Sequence, residues 1–139
     1  LVTARRRSTS SILRVSCMLT DQVGDGVYIR GAANGFYKVA KADPSNLSKM
    51  PAIGVIIKKW DYTSALVQLY GEVRGLYTGL FPGKRYFVGL NGRPALPGDF
   101  SNPSPGEKWR IQTLGISLDV GVLLLEPSND LITRVGRVE

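Results

Sequence analysis

The chain has no histidine and one cysteine among its 139 residues. Without His there is no Ser-His-Asp or Cys-His relay, and most zinc sites lose a customary ligand. A lone Cys17 can form no internal disulfide and cannot hold an iron–sulfur cluster. It is expected to be a small buried hydrophobe on a strand, because free cysteine is among the most buried residue types and an activated thiol usually needs a neighbour such as His. No apolar run approaches the roughly 20 residues that cross a bilayer as a helix. The longest, Val120 to Leu125, is strand-sized. The start places three arginines before Ser-Thr-Ser-Ser with no apolar core behind them, unlike a secretory signal. Neither a dinucleotide fingerprint nor a Walker loop occurs. Carboxylates are scattered singly, so their spacing does not signal a glycosidase-type pair. Asp21 and Asp25 in DQVGDG lack the ligand ladder and closing Glu of a calcium loop and read as a turn. These absences predict a chain that is not an enzyme and uses no cofactor, metal or small-molecule substrate. A small cell-wall hydrolase is the enzymatic rival, and turnover lost with one carboxylate would revive it.

What is present is turn chemistry. Gly numbers 16 and Pro 8, while charged residues make up only 21%, a balance that suits a turn-rich β protein. The length predicts one domain, able to bury roughly two-thirds of its unfolded surface. Asn34-Gly35 lies between VYIRGAA and FYKVAK, which predicts a type I′ hairpin. A polar loop, 41–51, follows, with room for one helical turn at 44–47. Ala52 to Lys59 places Ile53, Val55 and Ile57 on one face, and Ser64 to Tyr70 is its partner across the 60–63 turn. Gly71, Gly75, Gly79 and Gly83 recur at every fourth position, and bends at barrel corners explain them better than a membrane packing motif. Phe81-Pro-Gly83 suits a type II turn, and Asn91-Gly92 is a second type I′ candidate. Residues 93–108 hold four of the eight prolines and are expected to form an exposed, extended loop. Trp109 to Ser117 and Val120 to Glu126 are closing strands, and residues 131–135 can add a short one. The expected fold is all-β: a compact antiparallel barrel or jelly-roll-like sandwich of about eight to nine short strands.

Charge divides the chain. The formal net charge is +7; residues 1–14 carry four arginines and no acid, and the remaining 14 basic and 11 acidic side chains leave +3. Residues 1–11 are therefore read as a flexible basic arm, 12–127 as the single β domain and 128–139 as a C-terminal extension. Leu1 in place of Met is expected of a processed or truncated start. Arg5, Arg6, Arg7 and Arg14 are candidates for binding an acidic partner. Nucleic-acid binding is expected to be weak and non-specific, because the aromatics lie scattered along strands and are not interleaved with basic residues in the sequence. Trp60, Tyr62 and Phe100 are candidate interface anchors, since aromatics are enriched at hot spots. A carbohydrate surface built from Trp60, Tyr62, Tyr70, Tyr77, Tyr86 and Trp109 is weighed against their use as core.

The segments VGDGVYI, VAKADPSNLSKMPAIGVIIKK, ALVQLYGEVRGLYTGLFPGKRYFVGLNGRP and IQTLGISLDVGVLLLEP resemble small β-barrel modules in structural proteins of tailed bacteriophages. The resemblance spans Val23 to Pro127 and rests on turns and core positions. Ser117 departs from it, standing where the pattern often has Ala. It implies a capsid decoration (cement) protein on the outside of the virion head, bound to the major capsid protein as a homotrimer. The alternative it implies is a tail fibre, spike or adaptor component. It implies neither a membrane nor a reactive site.

Overall fold

A computed structural model describes residues 11–100, 105, 107–128 and 132–135, the last four through their backbone. Twelve strands lie among the described residues, one of them only two residues long. The protein is all-β, as expected, but has more strands than the expected eight or nine.

β1 (Ile12–Ser16), β2 (Gly26–Ala33), β3 (Phe36–Lys41), β4 (Gly54–Lys59) and β5 (Ser64–Gln68) close into a barrel in the order β1-β3-β2-β4-β5. The barrel is not purely antiparallel: β1 runs parallel to β3, with Val15 opposite Tyr37. The β2–β3 hairpin turns at Asn34 (φ 53°) and Gly35 (φ 81°), both left-handed as a type I′ turn requires. β4 and β5 pair through the expected 60–63 turn. Closure gives every strand a partner on each side, although β1–β3 and β2–β4 each meet over only two residue pairs.

A second, five-stranded antiparallel sheet follows, in the order β6-β11-β10-β7-β8. Its strands are β6 (Gly71–Arg74), β7 (Arg85–Val88), β8 (Pro94–Ala95), β10 (Thr113–Asp119) and β11 (Val122–Leu125). β9 (Lys108–Ile111) pairs instead with β12 (Ile132–Val135). The expected strand from Trp109 to Ser117 is thus two strands in two sheets, parted at Gln112. The 93–108 segment is not simply an exposed loop. It supplies β8, buries Ala95, and makes a short 3-10 turn at Pro97–Asp99. The anticipated helical turn near 44–47 is a 3-10 turn at Leu47–Lys49.

The glycines at 71, 75, 79 and 83 all have positive φ, between 73° and 96°, so the four-residue period marks bends. Gly83 closes the turn begun at Phe81, whose carbonyl accepts from Lys84 N–H at 3.1 Å. Asn91-Gly92 is not type I′, since only Gly92 (φ 80°) is left-handed. Gly92 N–H donates to Gly89 O and Gly89 N–H to Arg93 O, the pattern of a three-residue hairpin loop with a bulge glycine.

Two apolar cores result, and β4 divides them. Ile56 points into the barrel with Val15, Cys17, Val27, Val39, Ala65 and Val67. Its neighbour Val55 points the other way, toward Tyr77, Tyr86, Val88, Leu114, Leu123 and Leu125 of the second sheet's core. Ile53, expected on the face of Val55 and Ile57, packs against the barrel core instead.

Candidate interaction surfaces

Two of the sequence-picked residues come together on the barrel. Arg14 points outward from β1, and its guanidinium carbon lies 5.1 Å from the Trp60 ring centre and 5.6 Å from that of Phe36. Lys58 Nζ lies 5.7 Å from the same Trp60 ring. Register explains the cluster. Arg14 and Lys58 both face Leu66 of β5, one from each side, so β1, β5 and β4 bring them onto one outer row. The parallel β1–β3 pair then sets Phe36 beside Arg14. Trp60 and Phe36 are 47% and 42% exposed. Among the described residues, no carboxylate forms an ion pair with Arg14.

The expectation that aromatics and cations are not interleaved therefore fails in three dimensions. Phe36, Arg14, Trp60 and Lys58 alternate ring and cation, drawn from β3, β1, the 60–63 turn and β4. Phe36 and Lys58 were missed as site residues: Phe36 reaches Arg14 only through the parallel β1–β3 pairing that no local signal announces, and Lys58 joins through the β4–β5 register. The five barrel strands together carry six basic side chains and no acidic one. In contrast, the second sheet's strands balance Arg74 and Arg85 against Glu72 and Asp119.

Tyr62 lies around the corner. Leu19, Val23, Trp60 and Tyr62 line a shallow groove with Asp21, Gln22, Lys59 and Asp61. Tyr62 is 73% and Leu19 65% exposed, and Met18 and Val23 add further apolar surface. The groove is rigidly framed. Lys59 Nζ donates to the carbonyls of Met18, Leu19 and Asp21 at 3.3, 3.1 and 2.6 Å. Asp61 accepts from Thr63 N–H at 2.8 Å, and that backbone hydrogen bond holds its carboxyl below the usual range. Lys58 and Lys59 thus divide their work: one faces outward beside Trp60, the other caps a loop.

The DQVGDG turn is structural. Asp25 is 1% exposed, accepts from Gln22 N–H, and faces Lys41 Nζ and Arg93 Nε, each at 3.5 Å. Tyr77 donates its hydroxyl to Gly24 O at 2.6 Å, and burial raises its pKa, so it remains a donor. Cys17 is buried as expected but lies just past the end of β1 and not on a strand, and desolvation raises its thiol pKa.

Phe100 sits half-buried at the end of the 97–99 turn and takes no part in the Arg14–Trp60 ring contacts or in the groove lining. Arg5, Arg6 and Arg7 lie outside the described residues. Of the aromatics weighed as a carbohydrate surface, Tyr77, Tyr86 and Trp109 are core residues. A further groove is lined by Leu13, Ile29, Tyr37 and Leu69 on one side and by Pro51 and Glu126 to Ser128 on the other. No group of acidic, Cys or His side chains among the described residues could hold a metal ion, and no described helix is long and apolar enough to cross a membrane. No protein-family model, curated protein or solved structure matches the chain.

Proposed function

We propose that this chain is a non-enzymatic structural protein of a bacteriophage virion, a decoration protein that binds the outside of the head and stabilises contacts between major capsid proteins. The observation carrying this reading is the groove of Leu19, Val23, Trp60 and Tyr62. It gathers large apolar side chains at a site held by Lys59 and Asp61, as protein-binding patches do. The resemblance across Val23 to Pro127 supplies the partner class. The proposed mechanism is associative: Tyr62 and Trp60 anchor on the shell, and the arginines at 5, 6 and 7 meet acidic capsid surface, with the protein acting as a homotrimer. A ligand that binds only the expanded shell stabilises it by mass action, and many copies multiply the effect.

The test is sedimentation of the full chain with purified expanded shells that lack it. Wild-type protein is expected to co-sediment at hundreds of copies per shell. Tyr62→Ala with Leu19→Ser is expected to weaken binding roughly tenfold or more, as loss of interface anchors does. Immunogold labelling of virions over the whole head supports the reading. Gold confined to the tail or one vertex overturns it in favour of a tail fibre, spike or adaptor.

A further inference from the structure

We infer that the outer wall of the barrel, centred on Arg14 between Phe36 and Trp60, is a binding site for single-stranded nucleic acid. Three features of the wall point the same way. The first is charge. The barrel strands hold six basic side chains and no carboxylate; Lys41 faces Asp25 and Lys59 caps the 18–21 loop, which leaves Arg14, Arg30, Lys38 and Lys58 to make the barrel exterior net positive. Asp61, in the adjoining turn, stays ionised and offsets part of that charge, its carboxylate held against the Thr63 N–H.

The second is alternation. Ring, cation, ring and cation follow one another as Phe36, Arg14, Trp60 and Lys58, at contact distances of 5.1 to 5.7 Å. A single strand offers the same alternation, bases that stack on rings and phosphates that meet cations. Both rings are roughly half exposed, so each has surface to offer a base.

The third is preorganisation. Arg14 is braced between two rings and has no carboxylate partner among the described residues. A planar guanidinium held this way presents its N–H edge to a phosphate with little freedom left to lose. Duplex nucleic acid fits worse. Its bases hide their faces in the stack, and the wall raises no helix or ribbon to enter a groove. An acidic protein segment would meet the cations but would not need the ring alternation.

The wall and the shell-docking groove share Trp60 but are otherwise separable. Leu19 and Tyr62 serve the groove; Arg14, Phe36 and Lys58 serve the wall. The two readings therefore fail independently.

The experiment is fluorescence titration of the full chain with fluorescein-labelled dT20, a 20-base-pair duplex, and poly-glutamate of similar length, at several salt concentrations. The intrinsic signal is informative because Trp109 is 5% exposed, leaving Trp60 as the tryptophan a base can reach. We expect dT20 to bind more tightly than the duplex and to quench Trp60. Trp60→Ala is expected to weaken dT20 binding about tenfold, within the range for loss of one stacked base. Arg14→Ala should lower the magnitude of the logarithmic salt slope by about 0.7, the share of one phosphate contact on a single strand. Arg14→Lys should keep that slope and still lose affinity. These side chains are exposed, so an unchanged far-UV spectrum and melting midpoint will separate binding from folding. The inference is overturned by equal binding of duplex without quenching, by an affinity indifferent to Arg14→Ala and Phe36→Ala, or by poly-glutamate binding as tightly and with the same variant sensitivity. Leu19→Ser with Tyr62→Ala should leave dT20 binding unchanged, whatever it does to shell binding.

Discussion

Gln112 shows how much one side chain can hold. It is 1% exposed, at the break between β9 and β10. Its Nε2 donates to Ala52 O at 2.8 Å and Ser128 O at 2.9 Å, and its Oε1 accepts from Ala52 N–H at 2.8 Å. Replacing it with Leu preserves bulk but leaves the Ala52 amide and carbonyl buried without partners. Gln112→Leu should therefore cost about 3 kcal/mol, read as a lower urea midpoint at unchanged m-value. Ser117 is a milder case. Its hydroxyl donates to Asp119 O at 2.6 Å across the β10 bulge, which accounts for a hydroxyl where the resembling pattern often has Ala. Cys17 was legible from composition alone, since an apolar thiol without His belongs in a core. Native protein should react with iodoacetamide far more slowly than urea-unfolded protein, because burial both shields the thiol and disfavours its thiolate. Gln112 was not legible. A lone Gln between two β-rich runs looks the same whether it faces solvent or clasps a loop 60 residues away.

At the scale of elements, local turn chemistry was readable and non-local pairing was not. Asn34-Gly35 and Phe81-Pro-Gly83 require positive φ at a position that the sequence supplies, so their hairpin and bend follow from the residues themselves. Asn91-Gly92 carries the same dipeptide as Asn34-Gly35 but makes a different turn. There the neighbouring Arg93, bound to Asp25 and to Val23 O, helps hold a three-residue loop. The parallel β1–β3 contact has no local signature at all, and with it went the first sight of the Arg14–Phe36 pair. Two glycine substitutions separate the reasons a strand or turn needs glycine. At Gly35 a methyl would meet nothing within 4 Å, so Gly35→Ala bears only the backbone cost of φ 81°, about 1 kcal/mol. At Gly54, where φ is ordinary, a methyl would run into the backbone carbonyl of Gln68 on the paired strand. Gly54→Ala should therefore be the more damaging of the two in a thermal melt, and it should loosen β4 against β5 in amide exchange while Gly35→Ala does not.

For the molecule as a whole, the question is whether barrel and second sheet unfold as one. The cores are separate clusters of side chains, but they share a wall: Val55 and Ile56 are neighbours on β4 and enter opposite cores. Asp25 supplies a second tie. It sits at the mouth of β2, yet one of its partners, Arg93, belongs to the loop between β7 and β8, and Gly26 N–H donates to Gly92 O at 2.6 Å in the same loop. The ion pairs are lopsided, with a carboxylate 1% exposed facing Lys41 and Arg93 that are 41% and 38% exposed. Solvent screens the cations but not the buried acid, so the consequences of cutting the tie depend on which end is cut. Asp25→Asn removes the charge that burial penalises and can still accept from Gln22 N–H, and should cost about 1 kcal/mol. Lys41→Met with Arg93→Leu leaves the carboxylate buried without a countercharge, and should cost about 3 kcal/mol or more. Adding Asp25→Asn to that double variant should recover part of the loss, a reversal that simple contact counting does not give. Urea melts followed by far-UV circular dichroism and by tryptophan fluorescence should remain coincident in every variant, because β4 still joins the two cores. Two resolved transitions in the double cation variant would show instead that the Asp25 tie, and not the shared strand, makes the barrel and the second sheet one folding unit.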